Sequence, residues 1–368
     1  MSWLWVFLGF SLLIVLHEGG HFAAAKATGM RVERFFLFFG PTIWSFKRGE
    51  TEYGIKAIPL GGYVKITGMN PEEEVPPEVE SRSYHRQKVW KRIVVVAAGP
   101  AVNIVLAFVV FFAVFRIGGL EEVKPVVGKT VRGSDAARVL KKGDRIVALD
   151  GHSFAALSGD EQIEKFGEII KSRRCAGEPT DGCRATTPVK VTVRRGGQLK
   201  SFEIKPRYSA GEGRMLIGVA WSGNGHWVPI GSGEALDHST NIMSEVVSRT
   251  GSVFAHIFES KQRGEISGIV GTSDVGHQAV EAGWRQALLL LALVSLSLGL
   301  INLLPILPLD GGHILWALVE KVRGGRAVSI RVVERATLVG FALVAVLMVI
   351  GLSNDIGRLT GEGFNVSR

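Results

Sequence analysis

His17-Glu18-Gly19-Gly20-His21 places two imidazoles four residues apart, with a carboxylate directly after the first. On a helix, positions i and i+4 share one face, so both rings can reach a single metal ion while Glu18 stands beside it as a general base for water. The ion that suits this pattern is Zn2+, and the chemistry it suggests is hydrolysis of an amide bond. A catalytic zinc takes three protein ligands and keeps one position open, so a third ligand must come from elsewhere in the chain.

The element that carries these residues is apolar. Residues 3–16 form an unbroken apolar run, and 3–25 together are long enough to span a bilayer, for which about 20 residues suffice. Nothing before residue 17 is charged and Lys26 follows Ala23-Ala24-Ala25 at once, so the segment is expected to be a retained span rather than a cleaved signal peptide. Further spans are expected at 93–117, 284–304 and 332–352. Two histidines and a glutamate inside a span cost free energy and are rarely kept without a partner or a function.

The third apolar segment continues past Pro305 and Pro308, through Asp310-Gly311-Gly312, into Ile314–Val319, so its backbone is expected to be interrupted there. Asp310 is the outstanding candidate for the third ligand. The prolines break the helix, the glycines permit close approach, and irregular backbone at membrane depth is tolerated only where it faces protein or a wet cavity. The alternative is a solvated aspartate in a structural turn. His313 is left as a packing residue, because a fourth protein ligand would close the water position.

Short-loop lysines and arginines orient the spans. Residues 29–91 hold ten of them and 320–331 hold four, against none in 1–16. The basic loops are therefore expected in the cytoplasm, and the N-terminus, the stretch 118–282 and the C-terminus outside. With alternating spans, His17 and His21, Asp310, and Gly99-Pro100-Ala-Val-Asn103 of the second span all fall at a similar depth.

The remaining composition narrows the class. The chain has 368 residues, 43 Lys+Arg against 34 Asp+Glu, 46% hydrophobic and 21% charged residues, and a mean hydropathy of +0.24. Disorder and a collagen-like fibre are excluded. The charge of +9 is not gathered into a basic and aromatic stripe, so no nucleic acid partner is expected, and the acidic partner is membrane lipid. Two cysteines are too few for a disulfide scaffold; Cys175 and Cys183, close together on the expected oxidising side, are left as either a disulfide or two free thiols.

Outside the spans, 125–207 is expected to be a small, mostly-β domain. Its hairpin alternates Val189, Val191 and Val193 with polar residues, turns at Gly196-Gly197 and returns through Phe202 and Ile204. The segments 51–59 and 61–67 are expected to be two short strands against the inner leaflet, and 70–80 an acidic, proline-rich linker. Residues 235–262 carry an amphipathic pattern through Leu236, Ile242, Val246, Val253 and Ile257, expected to pack on the membrane or on the domain.

The run Gly143-Asp144-Arg-Ile-Val-Ala-Leu-Asp-Gly151 resembles the bacterial PDZ domain, a module that adds an extended peptide to a sheet edge. Taken in order, His17-Glu18-x-x-His21, Phe39-Gly40-Pro41, Thr51-Glu-Tyr, Pro59-Leu-Gly-Gly-Tyr-Val-Lys65, Ala98-Gly-Pro-x-x-Asn103, the PDZ-like domain and Asn302-x-x-Pro-x-x-Pro-Leu-Asp-Gly-Gly312 resemble the bacterial site-2 protease family, intramembrane zinc metalloproteases of the regulator of sigma-E protease type. The resemblance covers nearly the whole chain. It implies that His17, His21 and Asp310 ligate Zn2+, that Glu18 activates water, that Gly61, Gly62, Tyr63, Val64 and Lys65 hold the substrate extended, and that Asn302 takes part in substrate binding. It also implies single-span membrane substrates already trimmed outside, such as anti-sigma factors or signal-peptide remnants, with the PDZ-like domain binding a peptide or screening out bulky ectodomains. Two features depart from it: one PDZ-like domain is found where tandem domains occur in the family, and the Gly-Pro expected after the domain is Gly268-Ile269.

The expected fold is thus membrane α-helical, with four transmembrane helices, inner-leaflet β-strands and an extracytoplasmic PDZ-like domain. Its parts are a first transmembrane helix (1–28), a cytoplasmic loop with membrane-associated strands (29–91), a second helix (92–118), the PDZ-like domain (123–222), a connecting helical region (223–282), a third transmembrane segment (283–319) and a fourth helix (331–353). A membrane PDZ receptor with a vestigial or structural zinc site would require a closed four-ligand set and would have no use for Glu18. A metal transporter would require paired polar sites along a path, and spans two and four supply only Asn103.

Overall fold

A computed structural model describes residues 2–70, 73–122, 125–155, 157, 159–222, 226–255, 268–326 and 328–360. The chain divides into two compact units, one made of Met1–Arg116 with Gly231–Arg368 and the other of Ile117–Ile230.

Helix α1 spans Ser2–Ala27, about 39 Å at 1.5 Å per residue against about 30 Å of hydrocarbon. Among the described residues it is one of four helices long and apolar enough to cross a membrane, and the protein is a multi-pass membrane protein. The second, α2 (Val89–Ala113), contains Pro100 and packs against α1 and against three later helices. After it, in the same unit, come the amphipathic α5 (Ser232–Ala255) and α6 (Ile269–Ala282). The third span divides as its prolines require: α7 covers Trp284–Asn302, residues 303–309 are irregular, and α8 restarts at Asp310 and runs to Val322. Helix α9 spans Ile330–Thr360. Part of the amphipathic pattern, including Ile257, lies outside the described residues.

Two features tie these helices around α2. Near its start, Arg92 donates to Glu320 near the end of α8 across 2.6 Å, in a partly buried pair. At the far end of α9, the buried Asp355 carboxylate accepts from the backbone N–H groups of Gly268 and Gly271 at the start of α6, at 3.0 and 2.8 Å.

The strand region differs from expectation. Residues 51–66 form one element, β2 (Thr51–Ile66), and its partner is a strand the sequence did not advertise, β1 (Val32–Arg48). β2 bends back, so Arg34 pairs with both Glu52 and Lys65, and Phe36 with both Gly54 and Tyr63. The 32–37 stretch thereby lies between 52–55 and 62–66. Its Phe-Phe-Leu-Phe-Phe run lacks the apolar/polar alternation that marks a half-buried strand, which hides it from pattern analysis.

The second unit is β-rich. Strands β3 (Leu120–Glu122), β4 (Val127–Thr130), β5 (Arg145–Leu149), β6 (His152–Ser153), β7 (Val189–Arg195) and β8 (Gln198–Ile204) are followed by β9 (Arg207–Ser209), β10 (Arg214–Leu216), β11 (Val219–Trp221) and β12 (His226–Val228). The main sheet has the order β6-β5-β7-β8, and the expected hairpin turns at Gly196 and Gly197 with φ of 55° and 83°. Val189, Val191 and Val193 are fully buried with Ile146, Leu149 and Ile204, and helix α4 (Gly159–Lys171) adds Phe166 and Ile170 to that core; α3 (Ala136–Val139) is a single turn. Cys175 and Cys183 are disulfide-bonded.

Candidate metal centre

α1 presents His17 and His21 on one face, as their spacing demands. The Nε2 atoms of the two rings lie 3.3 Å apart. Asp310, the first residue of α8, reaches the same point: its Oδ2 is 3.3 Å from His17 Nε2 and 3.4 Å from His21 Nε2. Pro305 and Pro308 end α7 and the chain turns before α8 begins, which delivers this carboxylate sideways into the bundle. Gly311 and Gly312 make the turn possible. A Cβ on Gly311 would run into the carbonyl oxygens of Leu303 and Leu304, and one on Gly312 into the Ile306–Leu307 backbone.

The triangle fits a zinc ion. Tetrahedral zinc with bonds of about 2.0–2.1 Å separates neighbouring ligand atoms by about 3.3–3.4 Å, which is the size of all three observed edges. The buried Asp310 Oδ2 accepts no hydrogen bond, and a cation at the centre of the triangle would satisfy it together with both ring nitrogens.

The far sides of the rings are held by α2. His21 Nδ1–H donates to the Val95 carbonyl at 2.9 Å, which leaves Nε2 as the bare nitrogen on the ligand side. Gly99 makes room, because a Cβ there would overlap the His21 ring. His17 Nδ1 meets the side-chain amide of Asn103 at 3.3 Å. Asn103 is fully buried, and its Oδ1 has no hydrogen-bond partner.

Glu18 points toward β2. A Cβ on Gly62 would come within 3.1 Å of Glu18 Cγ, and the Val64 backbone lies beside the Glu18 carboxylate. Among the described residues, no further strand pairs with the 62–66 edge. Tyr63 and Lys65 are turned to other work: Tyr63 stacks between Phe36 and Phe39, with ring centroids 5.8 and 5.9 Å away, and Lys65 pairs with Glu33 at 2.8 Å and Glu73 at 2.7 Å. Gly61 supplies the positive φ of 72° at the bend. Asn302 ends α7 with its amide donating to its own helix at Leu298, 3.1 Å away. The structure thus gathers His17, Glu18, His21, Asp310 and the Gly62–Val64 backbone, and leaves the side chains of Tyr63, Lys65 and Asn302 engaged elsewhere. The partners on α2 received no role from the sequence; Asn103 was visible as the single amide in an otherwise apolar span.

Four spans with a histidine, histidine and aspartate cluster set inside the bundle define the class, a multi-pass membrane protein with an internal metal-binding centre. Residues 5–347 match the family model for peptidase family M50. The chain belongs to that family and is a zinc metalloprotease. It is 32% identical over 349 residues to zinc metalloprotease Rip1 of Mycobacterium tuberculosis, covering 86% of this chain and 85% of that protein. It is 31% identical over 341 residues to the protein of the same name in Mycolicibacterium smegmatis, covering 84% and 83%. A solved PDZ domain of an SdrC-like protein from Listeria monocytogenes is similar at 22% identity, over 28% of this chain and 88% of that one, with a TM-score of 0.21.

Proposed function

We propose that the protein cleaves peptide bonds within transmembrane segments of single-span membrane proteins, in regulated intramembrane proteolysis. The observation that carries this is the meeting of three ligand atoms, two from α1 and one from the start of the short α8, in a unit whose α1, α2, α7 and α9 are long and apolar enough to cross a membrane. A soluble protein has no reason to place its hydrolytic centre there, whereas a peptide bond that lies in the bilayer can be reached from nowhere else.

His17, His21 and Asp310 hold the zinc, which when bound supplies a Lewis acid for the scissile carbonyl. Glu18 takes a proton from the attacking water on its carboxylate and returns it to the nitrogen of the leaving amine. A transmembrane helix hides its peptide bonds, so the substrate must unwind before attack; the 62–66 edge accepts the freed backbone as an added strand, and the Asn302 amide takes up a further carbonyl after leaving Leu298. Tyr63 and Lys65 serve by holding the edge in place rather than by touching substrate.

The lysine and arginine distribution supports cytoplasmic placement of β1, β2 and the 320–331 loop, with the termini and the β-rich unit outside. The PDZ-like region 123–222 then meets the extracytoplasmic part of a substrate, binding a peptide end or excluding a bulky ectodomain, and anti-sigma factors or signal-peptide remnants are the substrates of that form. Glu18→Gln tests the chemistry. Cleavage of a model transmembrane substrate in detergent should fall by about 10²–10⁴-fold with zinc still bound at one per chain, and undiminished cleavage would refute the assignment of the base.

A further inference from the structure

We propose that Asn103 is a positioning residue of the metal centre: its side-chain oxygen accepts the Nδ1–H of His17 and so fixes that ring with a bare Nε2 on the zinc side. The inference rests on the assignment of His17 as a ligand. A ligating imidazole must present a lone pair to the metal, and its other nitrogen then carries the proton and needs an acceptor. His21 has one in the Val95 carbonyl, at 2.9 Å. For His17 the group at Nδ1 is the Asn103 amide, 3.3 Å away, whose own oxygen is buried without a partner.

With the amide nitrogen toward His17, Asn103 would donate to Nδ1, forcing the proton onto Nε2, where it would face Asp310 Oδ2 across 3.3 Å and block ligation. Rotating the amide by half a turn exchanges its nitrogen and oxygen with almost no change of shape. The oxygen then meets Nδ1–H, and Nε2 is free for the metal. Only the orientation with the oxygen toward His17 is compatible with a loaded centre.

The amide is held firmly enough to act in this way. Asn103 is fully buried on α2. Its backbone carbonyl accepts the Ser295 hydroxyl of α7 at 2.9 Å, and a Cβ on Gly299 would lie only 3.4 Å from its own Cβ. The α7 helix thus presses α2 toward α1 at the residue that supports His17. The two imidazoles hang from one stretch of α2, His21 from a backbone carbonyl and His17 from a side chain eight residues further along.

The test uses the full chain in detergent, with zinc affinity read by chelator competition and ligand geometry read from the visible absorption of the cobalt-substituted protein. Asn103→Leu keeps the approximate volume and removes the acceptor; zinc affinity should fall about 10- to 100-fold and the cobalt bands should shift. Asn103→Asp keeps an acceptor and should hold both near wild type, whereas a purely space-filling role would leave Asn103→Leu as good as wild type. Unchanged affinity and spectrum in Asn103→Leu, or failure of Asn103→Asp to hold them, would overturn the proposal. Should Asn103→Leu not fold, ¹⁵N NMR of the zinc-loaded, histidine-labelled wild type decides: a protonated His17 Nδ1 is expected, and zinc bound through Nδ1 overturns it. His17→Ala separates the two levels. Loss of metal there with full binding in Asn103→Leu sinks the role of Asn103 alone, whereas full binding in His17→Ala sinks the ligand assignment beneath it.

Discussion

Gly99→Ala adds one methyl group to α2 and should silence the metal centre while leaving the chain folded. The added Cβ would overlap Nε2, Cε1 and Cδ2 of His21. An ordinary carbon contact lies at about 3.5 Å, so the ring must retreat by about 1 Å, half the length of a zinc–nitrogen bond. The backbone cannot yield in its place, because on the other side of this contact a Cβ on Gly20 of α1 would already strike the Ala98 carbonyl. A misplacement of about 1 Å in a reacting constellation costs about 100-fold in rate, and loss of the Nδ1–H bond to Val95 removes the restraint that orients the ligand. Glycine to alanine in a helix interior, taken alone, stabilises by about 1 kcal/mol. Zinc affinity by chelator competition, cleavage of a transmembrane substrate and thermal unfolding of the metal-free chain together separate these effects: affinity should fall by at least about 10-fold and cleavage by about 100-fold, while metal-free stability changes little, the propensity gain offsetting the lost bond to Val95. Wild-type affinity and cleavage in Gly99→Ala would refute the packing of His21 on α2.

Glu50 links β2 to the segment before α2, and hydrogen bonds from Arg82 and then Lys26 hold its carboxyl down at about 2. A lowered folded-state value stabilises above the ordinary carboxyl range and is lost as pH falls through about 2. Glu50→Gln should therefore cost about 1 kcal/mol at pH 7, with the difference in unfolding between variant and wild type shrinking as pH falls below the ordinary 4.5; a pH-independent difference would contradict the ion pairs. Asp144 is buried under the β-rich unit's hairpin, and although burial tends to raise its pKa, Arg195 and the Lys141 N–H hold it below the usual range. Asp144→Ala removes the acceptor shared by Arg195 and the Lys141 N–H and should destabilise this unit, read as faster hydrogen exchange at the β7 amides; unchanged exchange would place the pair among ordinary surface contacts.

What could be seen in advance follows the length scale of each constraint. The four spans and the break at Pro305 and Pro308 are local: apolar runs of fixed length and residues without an N–H. The His17 and His21 pairing is local too, since helical spacing alone puts both on one face. Asp310 was found by a longer chain of reasoning, because charge inside a span is scarce and few candidates existed. β1 was missed because its Phe-rich run carries no period. The 62–66 edge was expected beside the centre, but which atoms it offers depended on register: Gly62 and Val64 face Glu18, while Tyr63 and Lys65 are spent on Phe36, Phe39, Glu33 and Glu73. Cys175 and Cys183 could be bridged or free on spacing alone, and only folding of the loop brings them together. The roles of Val95, Gly99 and Asn103 depend on how α2 rotates against α1, and no sequence period records that angle.

The claim on which all else stands is that His17, His21 and Asp310 share one zinc ion. X-ray absorption at the zinc edge of the purified full chain, combined with metal content per chain, measures it most directly. One zinc per chain is expected, with nitrogen and oxygen neighbours at about 2.0–2.1 Å, falling to near zero in Asp310→Ala and in His17→Ala. A sulfur neighbour, or full zinc occupancy in Asp310→Ala, would contradict the account.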